Sequence, residues 1–310
     1  MYFPLLRGRQ YELKALRELS TKMSLSGKIV PIVEPVRTDT HHLELCLDAL
    51  NEDDVEYVVV GNPYQGEFKD KGKQGCIDFI KNNINKIEYF GFILDEESDF
   101  NEIDKYLKII GRKPFSFIYM DDISQQKISK YLGMGNYRYN IFISSFVSTS
   151  YIKNFGKGKT VIIDPCFIDK ERGSDYQYNP TEIFRDNFYK SICGFGDYTT
   201  LPEKFKDGGG RPYCGVIHLT YEINEEKKPV YISHFLSQIY TQRMSDQARL
   251  VQEALDTLVP FVKKNGQYFS FSTAVQEFID IKKKGINTNL ARTKKLSIKH
   301  HIELMIEILN

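Results

Sequence analysis

Eight short apolar runs in this 310-residue chain each close on a residue with chemistry to offer. In chain order these are Arg7, Glu34, Asn62, Asp95, Asp121, Ser144, Asp164 and Asp197. Five of the eight are acids, although Asp and Glu together make only 41 of the 310 residues. Carboxylates brought to one place repel each other unless a cation or basic side chains sit among them. Oxygen ligands of this kind suit Mg²⁺, Mn²⁺ or Ca²⁺ better than zinc. The expectation is therefore that Asp95, Asp121 and Asp164 hold Mg²⁺ or Mn²⁺. Glu34 and Asp197 would do acid–base work, and Arg7 would stabilise developing charge. Ordinary structural roles compete with this. Asp favours helix N-caps, as Asp99-Phe-Asn-Glu and Asp122-Ile-Ser-Gln suggest, and Arg7 has a salt-bridge partner in Glu34.

Further along, Gly208, Gly209 and Gly210 lie in Asp207-Gly-Gly-Gly-Arg-Pro, after the last acidic run. Successive glycine amides form anion-binding nests, so a phosphate-containing ligand is one expectation and a plain loop the other. His218 and His234 fall on two strand-like runs that can pair, which makes His218 a candidate acid–base group and half-exposed strand histidines the alternative. His300 and His301 are neighbours on a helix and point about 100° apart, so they cannot share a metal. Lys282, Lys283, Lys284, Arg292, Lys294, Lys295 and Lys299 form a basic stretch, read as a solvated face before a nucleic-acid surface. The five cysteines (46, 76, 166, 193 and 214) show no CxxC pair and are expected as small buried hydrophobes.

The elements that must position these residues follow from hydrophobic period. Strands are expected at Tyr2–Leu6, Ile29–Val33, Tyr57–Val60, Tyr89–Leu94, Phe115–Met120, Tyr139–Ile143, Thr160–Ile163 and Ile192–Gly196. They are near-continuously apolar instead of alternating, as strands covered on both faces are. Between them apolar residues recur every three or four positions, as in Leu13, Leu16 and Leu19, or Ile103, Tyr106, Leu107 and Ile110. Eight such βα intervals, with no GxGxxG or P-loop glycine pattern after any strand, predict an α/β fold: a (β/α)₈ barrel of the triosephosphate-isomerase type. Active sites of such barrels gather at the C-terminal strand ends, where the acids stand.

A ninth run, Cys214–Thr220, is expected to pair with Val230–Phe235 across Asn224–Lys228 as a hairpin on the barrel rim. The alternative is that Cys214–Thr220, and not Tyr2–Leu6, closes the barrel. Helices are expected at Gln247–Lys263, Thr273–Lys284 and Leu296–Leu309. The domain expectation is a barrel with its hairpin over residues 1–237 and a helical appendage packed on it over 238–310.

A formal net charge of +1 gives no global field for nucleic acid, so any such contact would be local. No apolar run is long enough for a membrane span, and Met1–Arg7 lacks the build of a signal peptide. A cytoplasmic location without membrane association is the default expectation.

The opening Tyr2-Phe-Pro-Leu-Leu-Arg-Gly-Arg-Gln-Tyr-Glu-Leu-Lys-Ala-Leu, with Ile29-Val-Pro-Ile-Val-Glu-Pro-Val, resembles the start of the bacterial and phage "beta protein" family. Asp197 before Gly208–Gly210, and His300-His301 on a terminal helix, are similar as well. The resemblance implies a barrel-like fold, an association with mobile elements and phage defence, and in some cases a small nuclease-like partner. It implies no particular reaction. Joined to the acidic strand ends, it suggests a metal-assisted phosphodiester or nucleotide hydrolase. The alternative is a non-catalytic barrel that binds a partner protein or senses a phage component.

Overall fold

The computed structural model describes residues 1–177, 180–184, 192–208, 210–223 and 229–310. They form two compact units, residues 1–165 with 189–198, and residues 166–188 with 199–310.

The first unit is the barrel. Its strands are β1 (Leu5–Leu6), β2 (Ile32–Val33), β3 (Val58–Val60), β4 (Phe90–Leu94), β5 (Phe115–Tyr119), β6 (Tyr137–Ile143), β7 (Thr160–Ile163) and β9 (Gly194–Gly196), each pairing in parallel with the next. Helices α1 (Gln10–Ser26), α2 (His41–Glu52), α3 (Gly72–Asn83), α4 (Phe100–Ile110), α5 (Gln125–Leu132) and α6 (Thr149–Ile152) fill the intervals up to β7. The ring closes where Phe3 and Leu5 donate backbone hydrogen bonds to Phe195 and Asp197, at 2.7 and 2.8 Å, beside a Tyr2–Phe195 bridge. Closure brings the backbones so near that a Cβ on Gly196 would collide with the Phe3 carbonyl. The N-terminal run is thus the closing strand, and Cys214–Thr220 is not.

The β4 and β5 residues are buried without exception, which explains why their sequences do not alternate. Much of the high aromatic content is spent here. The Phe117 ring lies 5.4–6.2 Å from the rings of Tyr119, Tyr131, Tyr137 and Phe115, each burial removing a large apolar surface from water. Helix ends obey local chemistry. Asp99 caps α4 by accepting from the Asn101 amide, and Gly27 ends α1 at φ 60°.

The βα alternation breaks after β7. The chain there enters the second unit, where β8 (Thr181–Phe184) joins a three-stranded antiparallel sheet with β10 (Val216–Glu222) and β11 (Val230–Leu236), in the order β10-β11-β8. The expected hairpin is present as β10 and β11; its turn, 224–228, lies outside the described residues. By its contacts this hairpin belongs with the C-terminal helices, so the boundary expected at residue 237 falls elsewhere. The reason is burial. Ile217, Leu219, Tyr221 and Phe235 pack on one face against α7 (Gln247–Lys264) and α8 (Thr273–Lys284), together with Leu296 of α9 (Leu290–Leu309). Helix α9 starts six residues before the expected Leu296, because Asn289 accepts from the Arg292 amide and nucleates the first turn.

Glu303 binds α9 to the N-terminus of α8. It accepts from the Ser272 and Thr273 hydroxyls and from the amides of Thr273 and Ala274. His300 bridges Ser272 Oγ, at 2.8 Å, and the Thr220 carbonyl, at 2.5 Å, while His301 reaches Thr220 Oγ1 at 3.0 Å. Both histidines are fully buried. The basic stretch is only partly a solvated face: Arg292 pairs with Glu277, Lys282 with Asp256 and Lys284 with Asp280, and Lys295 is buried. Among the described residues no helix is long and apolar enough to cross a membrane.

Candidate functional site

Parallel register decides which side chains meet at the mouth of the barrel. Leu6 of β1 stands opposite Val33 of β2, so the next residues, Arg7 and Glu34, emerge side by side. Arg7 Nη1 and Glu34 Oε2 form an ion pair whose side chains are only 11% and 2% exposed. Gly8 follows at φ 62°, where a Cβ would stand 3.2 Å from the Glu34 carbonyl; glycine lets the two loops touch. The Arg7 amide donates to Glu12 at 2.6 Å, and the Tyr198 ring centroid lies 5.0 Å from the guanidinium carbon.

Burial pushes the Glu34 carboxyl pKa up, while Arg7 and the Tyr64 amide pull against it. Burial works to lower the Arg7 pKa, but Glu34, Tyr198 and Tyr64 outweigh it, so Arg7 stays cationic. Tyr64 is held above its ordinary pKa by burial and then by Glu34. The two tyrosines were not apparent from the strand-closing pattern, since each stands one or two positions beyond the closing residue. Their only signal was an aromatic placed right after Asn62-Pro63 and after Asp197.

The other acids do not converge as a ring. Asp197 is buried and accepts from Tyr2 Oη at 2.6 Å. Asp164 accepts from Ser144 Oγ of the adjacent strand end at 2.7 Å. Asp95 accepts from Ser98 Oγ at 2.8 Å, and Asp121 from the Asp122 amide at 2.7 Å. Among the described residues no group of three or more His, Cys, Asp or Glu side chains is placed to hold a metal ion. The expected ligand set of Asp95, Asp121 and Asp164 is thus not assembled: each acid finds a donor on its own loop or on the next strand. The expectation of Mg²⁺ or Mn²⁺ has no fitting donor set among the described residues.

Asn62 serves structure. Its side-chain amide donates to the Ile93 carbonyl at 2.9 Å and accepts from the Ile93 amide at 2.8 Å, extending the β3–β4 ladder by one pair. Beyond it lies a cleft of about 260 Å³, lined among others by Tyr64, Lys73, Asp95, Glu102 and Tyr106.

His218 and the glycine cluster lie in the second unit. Gly208 sits at φ 79° with open space around it, and the Arg243 guanidinium lies near Gly210. Gly209 is outside the described residues. His218 faces His234 across the hairpin, as the pairing of the two runs predicted. Of the cysteines, Cys46, Cys76 and Cys214 are buried, and burial pushes Cys46 up to about 12. The chain matches no protein-family model, no curated protein and no solved structure.

Proposed function

We propose that this chain is an enzyme working at the C-terminal mouth of its barrel. Glu34 is the acid–base group, and Arg7 holds it in place and offsets negative charge that develops on a substrate. The reaction class is hydrolysis of a phosphodiester or nucleotide, in a bacterial phage-defence or mobile-element module. The observation that carries this is the buried Arg7–Glu34 pair. Two apolar side chains in that place would serve stability as well or better, because desolvation offsets most of the attraction between buried charges. A buried carboxyl with a raised pKa, beside a fixed cation and two tyrosines, is the kind of group acid–base catalysis needs. The module assignment rests on the resemblance of the opening residues.

Hydrolysis of bis(4-nitrophenyl) phosphate and of nucleoside triphosphates, with and without divalent metal, tests the proposal. Turnover that falls at least a hundredfold in Glu34→Gln, assayed well below that variant's own thermal midpoint, supports it. Turnover unaffected by that change removes Glu34 from the chemistry.

The dispersal of Asp95, Asp121, Asp164 and Asp197 into separate hydrogen bonds favours a second function, a non-catalytic barrel that binds a protein partner or phage component. Absence of turnover on every substrate, with a nuclease-like partner recovered on the intact chain, would make that the better account.

A further inference from the structure

In the second unit, β10 and β11 set His218 directly opposite His234, and the two Nδ1 atoms are 2.8 Å apart. One imidazole must donate there and the other accept. Burial lowers the pKa of both, His234 to about 4 and His218 well below its ordinary value, with Lys170 acting on His234 and Lys294 on His218 in the same direction. The pair is neutral near pH 7. The Tyr176 ring lies 4.9 and 4.6 Å from the two imidazole centroids and keeps them in place. With Nδ1 committed, the Nε2 of His234 makes no hydrogen bond to the described residues.

A cavity of about 200 Å³ opens on His234. Among the described residues its lining carries one charge of each sign, Lys170 and Asp175, and an apolar wall that includes Ile183 and Ile232. That volume is below the roughly 300–1,000 Å³ of pockets for drug-sized ligands and suits a smaller molecule. An organic anion would meet Asp175, and an organic cation would meet Lys170. A ligand with both charges satisfies both.

We propose that this cavity binds a small zwitterion with an apolar body, of the free amino-acid class. Lys170 takes the carboxylate, Asp175 takes the ammonium, and the isoleucines cover the side chain; in the tautomer in which His234 Nδ1 donates to His218, His234 Nε2 accepts an ammonium proton. The site is independent of the chemistry assigned to the barrel mouth.

Leucine, its decarboxylated analogue isoamylamine and its deaminated analogue isocaproate are suitable probes, titrated into the intact chain with selectively ¹⁵N-labelled histidine. Leucine should shift the His234 Nε2 resonance saturably, and each single-charge analogue should bind at least tenfold more weakly. Lys170→Met should abolish the preference for leucine over the amine, and Asp175→Asn the preference over the acid. His234→Gln should weaken leucine binding while the imidazole signals of His300 and His301 stay in place, which shows that the fold is retained. No saturable shift with leucine, an equal response to all three probes, or binding of one single-charge analogue alone overturns the assignment.

Discussion

Arg7 and Glu34 occupy matching positions on neighbouring strands, each one residue past the paired Leu6 and Val33, and their side chains meet in a buried ion pair. Removing one partner leaves the other buried charge without compensation. Arg7→Met should therefore cost about 3–5 kcal/mol in urea unfolding. The double change Arg7→Met with Glu34→Met should recover most of that stability and none of the activity. A double variant as unstable as the single one would mean that the pair is held for packing alone.

The separate bonding of the acids predicts a weak response to metal. Asp164→Asn keeps an acceptor for Ser144 Oγ and should cost no more than about 1 kcal/mol. Mg²⁺ or Mn²⁺ should not raise the thermal midpoint of the wild type. A saturable rise that disappears in Asp164→Asn would reinstate the acids as a ligand set.

Asn62 completes the β3–β4 edge through both backbone groups of Ile93. Asn62→Ala leaves a donor and an acceptor there without their partner and should cost about 1–3 kcal/mol. Amide hydrogen exchange at Ile93 should quicken by the same free energy. Exchange no faster than in the wild type would show that water replaces the side chain at no cost.

Stability should depend on pH through His234 and His300 of the second unit. Burial holds His300 at about 4, against 6.5 in an unfolded chain, with the Thr220 carbonyl and Glu303 opposing the shift. On acidification the unfolded state takes up the proton first. The contribution of the neutral ring is complete above pH 6.5 and falls between pH 6.5 and about 4, by up to ~1.4 kcal/mol per pH unit for each such histidine. Thermal midpoints should be level from pH 7 to 8 and drop steadily below 6.5. A midpoint unchanged down to pH 4.5 would contradict the burial of these rings as neutral groups.

The barrel was legible in the sequence because strands buried on both faces are near-continuously apolar, and helices between them carry a stripe every three or four residues. Eight runs such as Phe90–Leu94 and Phe115–Tyr119 left few other architectures open. The facing of His218 and His234 was legible too, since antiparallel pairing follows from where two strands flank a turn. Which charges share a site was decided only by the tertiary structure. A strand-closing position fixes the end of the barrel but not the donor each acid finds, so Glu34 meets Arg7, Asp197 meets Tyr2 and Asp164 meets Ser144. The division into two units was equally hidden. Residues 166–184 have no helical or strand period strong enough to show that β8 leaves the barrel, and only the apolar face of β10 and β11, packed on α7 and α8, draws the hairpin to the helices. Local periodicity encodes elements, whereas partners far apart in the chain are chosen by burial and by the hydrogen bonds left to satisfy.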